Sequence, residues 1–407
     1  MGMFVGAANP EEYAEIYDMV CKAFKQSKLE NAIVKVTTTE DTNFRKGDLR
    51  IVKVDGKIVS MMMLIRRPLR IGTTIVNGAI VAPVATHPDY QRKGYCSAVM
   101  RNAIQYMKTQ GFDITILWGN PWLYPHYGYS PAMMKTEIVI KPKQRGSSEK
   151  RSYEFRSFTK ADLEQITQIY HSNTAARTCA EIRSARMWEW KPGGSEAKLE
   201  VLIDKKGKAI GYLALGTDWG RPCAHEIGVL NDEEACEVIF NYILEIAKSK
   251  SLKEFYCIVH PDHPFARFAF WHDGEIRIRS GSGAGMARLL NLVPLLTKME
   301  KEFERRLHYS EFYDQECTLK ILSEEGLAVL NINNGQVSVS ADNVKSDYQL
   351  DIPLSCLNPL ITGYKGISEL VKNPNVKVRG GKLALRLINI LFPTGFPYGG
   401  DIPLFWE

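Results

Sequence analysis

The 407-residue chain lacks any apolar run of the roughly 18 residues that a membrane-spanning helix needs. A spanning helix is thereby excluded, and no membrane partner is expected. No leader-like segment precedes residue 10, so the chain reads as cytoplasmic and soluble. Gly2 follows Met1, but Gly6 stands where an N-myristoylation signal needs Ser or Thr. Basic runs are short as well. Lys and Arg number 52 against 46 Asp and Glu, a net charge of +6. No cluster approaches the roughly five to eight basic residues of a nucleic-acid patch, so no nucleic-acid partner is expected. The eight cysteines, Cys21, Cys96, Cys179, Cys223, Cys236, Cys257, Cys317 and Cys356, form no C-x-x-C and none sits beside paired histidines. They read as reduced, small core residues, and no metal is expected. Two phosphate-binding motifs are also missing, G-x-x-x-x-G-K-[ST] and a strand followed by G-x-G-x-x-G. What composition does supply is 45% hydrophobic residues, core enough for two or three domains.

One stretch stands out. An apolar run, Val76 to Ala85, leads into Thr86-His87-Pro88-Asp89-Tyr90-Gln91-Arg92-Lys93-Gly94-Tyr95-Cys96, and an amphipathic run, Cys96 to Lys108, leads out. This is strand, glycine-bearing turn, helix. Such a turn aims the unsatisfied N–H groups of a helix start at one point outside the protein, where the helix dipole also favours an anion. Arg92 and Lys93 add positive charge beside it. The stretch reads as a pyrophosphate cradle. Downstream, Phe112 to Trp118 is a short strand broken by Gly119-Asn120-Pro121. Then comes Trp122-Leu123-Tyr124-Pro125-His126-Tyr127-Gly128-Tyr129-Ser130-Pro131, too rich in Pro, Gly and Tyr for a helix. It is expected to be a compact aromatic loop near the end of the anion strand.

The remaining chain divides around these features. Pro10-Glu11-Glu12 opens an amphipathic helix through Phe24, and residues 25–48 read as a loop or short helix. Asp55-Gly56 between alternating runs predicts a hairpin over Arg50 to Leu64. A polar, glycine-containing segment, 141–153, suggests a domain boundary near 150. A faint repeat follows. Leu199 to Leu215 repeats the hairpin around Lys206-Gly207, Glu233 to Ala247 the helix, Glu254 to Val259 the strand, and Pro264 to Gly274 the aromatic loop. No Q-x-x-G precedes the second helix, and Asp232, Glu233 and Glu234 stand where phosphate would sit. That block reads as a duplicate without the anion site. Residues 285–305 read as one helix with a broad apolar face. Short strands at 318–322, 326–332 and 336–339, joined by turns including Asn333-Asn334-Gly335, and helices at 354–362 and 366–371 complete a small α+β unit.

The pattern [RQ]-x-x-G-x-small, filled by Gln91, Gly94 and Cys96, resembles the coenzyme A loop of the GCN5-related N-acetyltransferases. With Leu123-Tyr124-Pro125-His126-Tyr127-Gly128-Tyr129, Met187-Trp188-Glu189-Trp190, Met286 to Leu296 and the tail from Leu391 to Glu407, the whole chain resembles the enhanced-intracellular-survival (Eis) family. The resemblance implies an α+β fold of two tandem acetyltransferase-type mixed-sheet domains followed by a sterol-carrier-protein-like α+β domain. The expected domains are 1–150, 151–284 (degenerate) and 285–407. It implies acetyl-CoA as cosubstrate, a small-molecule or lysine-type amine as acceptor, and a homo-oligomer, a hexamer in many members. The implied cofactor-binding residues are Val84, Ala85, Thr86, Gln91, Arg92, Lys93, Gly94, Tyr95, Cys96, Gly119 and Asn120. The family's general acid falls on Tyr124. Its general base, the carboxylate of the last residue, falls on Glu407, through either its α-carboxylate or its side chain.

These residue types suit direct transfer. A carboxylate can take the amine's proton, a Tyr O–H can protonate the departing thiolate, and an N–H near Val84 to Thr86 can polarise the thioester carbonyl. Cys96 sits in the phosphate turn, away from the acyl end, and is not read as a nucleophile. His126 is the next candidate base after Glu407. Trp188 and Trp190 read as core of the second domain, and Asp113 and Asp401 as solvated or capping. For a cationic substrate, Glu407, Asp401, Glu11, Glu12, Glu15 and Asp18 are candidate carboxylates. Two alternatives remain open at this level: an apolar-ligand or lipid carrier, and a regulator that binds acetyl-CoA without chemistry.

Overall fold

Asp55 and Gly56 both take positive φ, 49° and 83°. That is the geometry of a two-residue turn whose twist matches its strands. The computed structural model describes residues 2–25, 28–142, 152–184, 187–188, 198–218, 220–279 and 281–398. They divide into two compact units. One comprises Met1–Met133, Ala176–Ala180 and Gly281–Pro397; the other comprises Met134–Ala175, Glu181–Ser280 and Tyr398–Glu407.

The first unit holds two sheets. Its larger sheet is built from β1 (Met3–Ala7), β2 (Leu49–Val54), β3 (Lys57–Ile71), β4 (Thr74–Thr86), β5 (Ile114–Leu117), β6 (Ser130–Pro131) and β14 (Met286–Leu289), in the order β1-β2-β3-β4-β5-β14-β6. All neighbours are antiparallel except β4 and β5. Helices α1 (Tyr13–Ala23), α2 (Lys28–Thr39) and α3 (Tyr95–Thr109) accompany it. The start of α1 follows a one-turn 3-10 segment, where the Asn9 N–H donates to Glu12 Oε2 at 2.7 Å. The segment read as a loop or short helix contains the twelve-residue α2. Helix α3 buries Val99, Met100, Ala103 and Met107 against β2 and β3 residues such as Val52, Met62 and Leu64. Each larger side chain among them contributes about 1.5–3 kcal/mol by leaving water.

The second unit holds β7 (Lys135–Ile140), β8 (Tyr153–Ser157), β9 (Lys198–Asp204), β10 (Ala209–Asp218), β11 (Arg221–Val229), β12 (Phe255–Ile258) and β13 (Glu275–Arg279), ordered β13-β7-β12-β11-β10-β9-β8. Helices α4 (Leu163–Asn173), α5 (Glu233–Ser249) and α6 (Pro264–Trp271) accompany it. The topology repeats that of the larger first sheet. In each, a hairpin leads to a strand, a helix and a parallel partner, and the next neighbour comes from a distant part of the sequence, β14 in one and β7 in the other. Strand β7 lies before the boundary expected near 150 and yet pairs in the second sheet.

Two expectations are corrected here. Residues 264–271 form α6, not a loop: Pro264 at its first position and His263, whose Nδ1 accepts the Phe265 N–H at 3.2 Å, start it. Residues 285–305 are not one helix. Met286–Leu289 is β14, inserted between β5 and β6, and α7 (Leu292–Lys298) and α8 (Glu300–Leu307) follow. Four residues, Met-Ala-Arg-Leu, are too few to show a period of their own, and the empty edge of β5 decides it.

The third sheet, in the first unit, orders β15 (Glu316–Ser323), β16 (Gly326–Asn333), β17 (Gln336–Ser340), β18 (Tyr348–Asp351) and β19 (Lys377–Arg379) as β17-β16-β15-β18-β19. Helices α9 (Leu354–Thr362), α10 (Ile367–Leu370) and α11 (Gly381–Leu391) complete this α+β portion. The fold is thus mixed α and β throughout, with two similar mixed sheets and a third α+β portion.

Candidate functional site

Strand β4 pairs with β5 only through Gly78↔Ile114, Ala79↔Thr115 and Ile80↔Ile116, then runs on to Thr86. Just past the last pair it bulges: Val81 faces Leu64 and Val84 faces Met62, with Ala82 and Pro83 between. A bulge bends its strand, and Pro83 offers no N–H. The two parallel strands therefore part, and Val84, Ala85 and Thr86 border a V-shaped opening at the end of β4. Thr86 is fixed by the Ser60 hydroxyl at 2.9 Å, while Ser60 donates to Ala85 O at 3.0 Å.

The turn that follows is exposed at Gln91, Arg92, Lys93 and Gly94. Gly94 is the residue before α3 and has φ 85°. A Cβ there would meet nothing within 4 Å. The helix start has no side-chain cap and no acidic residue in its first turn. Ala98 is the first residue to bond back, its N–H donating to Gly94 O at 3.0 Å. The N–H groups of Tyr95, Cys96 and Ser97 therefore lack intrahelical acceptors. Open space, bare N–H groups and the positive end of a fifteen-residue helix fit a pyrophosphate. Arg92 takes φ 61° in the same turn. Lys93 is partly employed within the turn: its Nζ donates to Asp89 O at 2.9 Å and lies 5.1 Å from the Tyr90 ring centroid.

The aromatic loop closes on this helix start. The Ser97 and Tyr127 hydroxyls share a hydrogen bond of 2.7 Å. Tyr124 begins a 3-10 turn, Tyr124–Tyr127, and is buried. Its ring packs over Gly119, where a Cβ would come within 2.4 Å of it, and meets Tyr129 edge-on at 5.9 Å. Asn120 sets the turn: its Oδ1 accepts the Trp122 N–H at 2.8 Å and its O accepts the Leu123 N–H at 3.2 Å. Burial, with Cys96 adjacent, pushes the Tyr124 hydroxyl up to about 12. Among the described residues that hydroxyl has no hydrogen-bond partner. Burial also pushes the Cys96 thiol up, against an opposing hydrogen bond from Thr86. A neutral thiol suits a small wall residue and not a nucleophile. The structure thus brings Thr86, Cys96, Gly119, Asn120 and Tyr124 together around the opening, with the exposed turn at one end.

Other candidates are placed elsewhere. Asp113 is neither solvated nor free: it is fully buried, and its Oδ2 accepts from Lys298 Nζ at 2.5 Å and the Asn77 N–H at 2.7 Å. Glu12 is taken by Lys53 at 2.6 Å, Glu15 accepts the Ile58 N–H at 2.8 Å, and Asp18 pairs with Lys22 at 2.5 Å. These are structural roles. His126 is exposed. Trp188 is buried between the Tyr170 and Tyr212 rings, as a core residue of the second unit. Trp190, Asp401 and Glu407 lie outside the described residues.

One contributor escaped sequence reading. Asn358 of α9 is buried; its Nδ2 donates to Gly128 O at 2.9 Å and Ser130 Oγ at 3.1 Å, and its Oδ1 accepts the Leu289 N–H at 2.9 Å. It ties the Tyr124 loop to β14. Nearby, Arg288 pairs with Glu325 at 2.8 Å, and Lys108 pairs with the same carboxylate. No motif announces these residues. A mid-helix Asn within an apolar run, L-N-P-L-I, was the available signal.

The equivalent helix start in the second unit is built otherwise. Asp232 caps α5, its Oδ1 accepting the Ala235 N–H at 2.9 Å, and Glu233 and Glu234 fill the first turn. The anion position is thus held by the protein's own carboxylates.

Residues 5–132 match the model of an acetyltransferase (GNAT) domain. The uncharacterized N-acetyltransferase YjhQ of Escherichia coli strain K12 is 25% identical over 118 residues, which are 29% of this chain and 64% of that protein. The chain thus spans somewhat under two thirds of that curated relative. Solved structures align along nearly the whole length. A GCN5-related N-acetyltransferase from Kribbella flavida superposes with a TM-score of 0.76 at 15% identity, over 98% of this chain and 97% of the other. A probable N-acyltransferase from Enterococcus faecalis V583 gives 0.75 at 17%, over 97% and 98%. Eis1 from Mycobacterium abscessus gives 0.66 at 14%, over 98% and 100%. At such identities the likeness establishes the fold, tandem acetyltransferase-like sheets with a third α+β portion.

Proposed function

We propose that the chain is an acetyl-CoA-dependent N-acetyltransferase acting on a primary amine. The carrying observation is the uncapped, open helix start at Gly94, set at the parting of β4 and β5 beside the hydroxyl of the buried Tyr124. Acetyl-CoA would supply the activated acetyl group as a thioester. The N–H groups of residues 94–97 would hold its pyrophosphate, and Val84 to Thr86 would border the acyl end. Tyr124, whose raised pKa keeps it protonated at neutral pH, would donate to the departing thiolate. The GNAT domain match and the name of the E. coli relative support the same chemistry.

The base is assigned to Glu407. We read the third α+β portion as sterol-carrier-like and the second unit as an acetyltransferase-type domain without a CoA site. Release of free thiol from acetyl-CoA against a panel of polyamines, aminoglycosides and lysine peptides tests the activity. Deleting 404–407 tests the base and is expected to lower kcat by about 10²–10⁴ with CoA affinity unchanged. Glu407→Gln is expected to lower kcat only if the side chain is the base, and to leave it unchanged if the α-carboxylate is. Full turnover in the truncated protein at saturating amine would move the role to another residue, with His126 next. No thiol release with any amine, alongside intact CoA binding, would leave a binding protein in place of an enzyme.

A further inference from the structure

Strand β13 is the edge of the second sheet; among the described residues its neighbour is β7 alone. Its sequence is Glu275-Ile276-Arg277-Ile278-Arg279, and Ile276 and Ile278 are 37% and 50% exposed. A free edge presents unpaired N–H and C=O groups and invites a further strand. Helix α6, which leads into it, ends on Phe270 and Trp271, exposed by 56% and 82%. All three of the strand's charges already have partners within the chain. Arg277 contacts Glu254 at 2.8 and 3.0 Å, Glu275 contacts Arg277 at 3.0 Å and also Lys141, and Arg279 contacts Glu137 at 3.3 Å.

We propose that β13 pairs antiparallel with β13 of a second copy of this chain, about a two-fold axis at Arg277. Directly opposed residues share a face of the sheet. In this register Glu275 faces Arg279 of the second copy, and the same pair recurs across the axis. Ile276 faces Ile278, also twice. Arg277 faces itself, with its charge offset in each copy by Glu254. This is the symmetric register that pairs all five residues; centring on Ile276 or Ile278 leaves two of them beyond the ladder. The occupant is a second copy because in this register the strand is complementary to itself. Ile276 and Ile278 meet on one face, and on the other each Glu275 meets an Arg279, extending ion pairs the chain already makes. A five-residue ladder is small, and the exposed Phe270 and Trp271 provide further apolar surface beside its start. The surface does not depend on the acetyltransferase reading.

Cysteine cross-linking of the full chain reads the register. The native cysteines are buried or half-buried. Arg277→Cys is expected to give covalent dimers on mild oxidation, since opposed Cα atoms lie about 4.5–5.5 Å apart, within disulfide reach. Glu275→Cys alone is expected to stay uncross-linked, because its two copies would lie roughly 13 Å apart along the strands. Mixed with Arg279→Cys, it is expected to cross-link. Light scattering gives the second measurement: the unsubstituted chain is expected to be at least dimeric, and Ile278→Lys, checked for native circular dichroism, to weaken association at least about tenfold. Glu275→Cys linking to itself as fast as Arg277→Cys overturns the register. An Ile278→Lys protein with the unsubstituted mass at every concentration overturns the interface.

Discussion

Tyr124 combines two properties that rarely occur together in a tyrosine: it is buried, and its hydroxyl is unpartnered among the described residues. The ring is packed, yet the hydroxyl oxygen is not among the side-chain atoms sealed from water, which leaves it open to a ligand. Burial, with Cys96 beside it, also raises its pKa to about 12. The sign matters for catalysis. A raised pKa keeps the proton on through neutral and mildly alkaline pH, so in the proposed reaction the residue can donate a proton but not accept one. Tyr124→Phe is therefore expected to lower kcat by about 10²–10⁴ and to leave CoA affinity nearly unchanged, since the turn at 91–96 is untouched. In the unsubstituted chain, kcat of the proposed reaction should show no Tyr124-dependent fall up to about pH 10. A descending limb near the ordinary tyrosine value that disappears in Tyr124→Phe would contradict the raised pKa.

At the scale of the element, the two helix starts make opposite use of the same geometry. Helix α3 leaves its N–H groups bare behind Gly94, while α5 covers its own with Asp232. Gly94→Val puts a β-branched residue at φ 85°, which costs about 1–3 kcal/mol of backbone strain and places its branches where the pyrophosphate would approach. Calorimetric titration is expected to show one CoA per unsubstituted chain and loss of that binding in Gly94→Val. Two CoA per chain would restore a site at α5, and unchanged affinity in a folded Gly94→Val protein would remove the one at α3. These elements were legible because their chemistry is local: Asp55-Gly56 dictates its turn, and Q-x-x-G between a strand and a helix dictates a positive-φ helix start. Strand β14 was not legible. Met286 to Leu289 reads equally as helix or strand by pattern, and only the vacant edge of β5, far away in sequence, selects the strand. Helix α6 was misread because its aromatic content resembles the earlier loop, although it lacks that loop's internal Gly and Pro.

At the scale of the whole molecule, the third α+β portion is more than an appendage to the sheet that carries the site. Asn358 lies 230 residues from Gly128 and donates to its carbonyl. No local signal announces such a contact, which is why the support of the site stayed unread while its turn did not. Asn358 satisfies three groups on two segments, the part-buried Gly128 O and the buried Ser130 Oγ and Leu289 N–H. Replacing it by Ala orphans them at about 1–3 kcal/mol for each group that water cannot reach. The Tyr124 loop, which ends at this clamp, is expected to loosen. The expected outcome is a lower urea midpoint, a clear loss of kcat and a CoA affinity close to that of the unsubstituted chain. Asn358→Asp discriminates further. It keeps an acceptor for the Leu289 N–H but sets a carboxylate against the Gly128 carbonyl, so it should retain the tie to β14 and still lose the loop. Under this view Asn358→Asp impairs turnover at least as much as Asn358→Ala, and the unpaired carboxylate it buries makes it the less stable of the two. If both variants turn over like the unsubstituted chain once folded, the loop holds Tyr124 without help from α9, and the third portion serves stability alone.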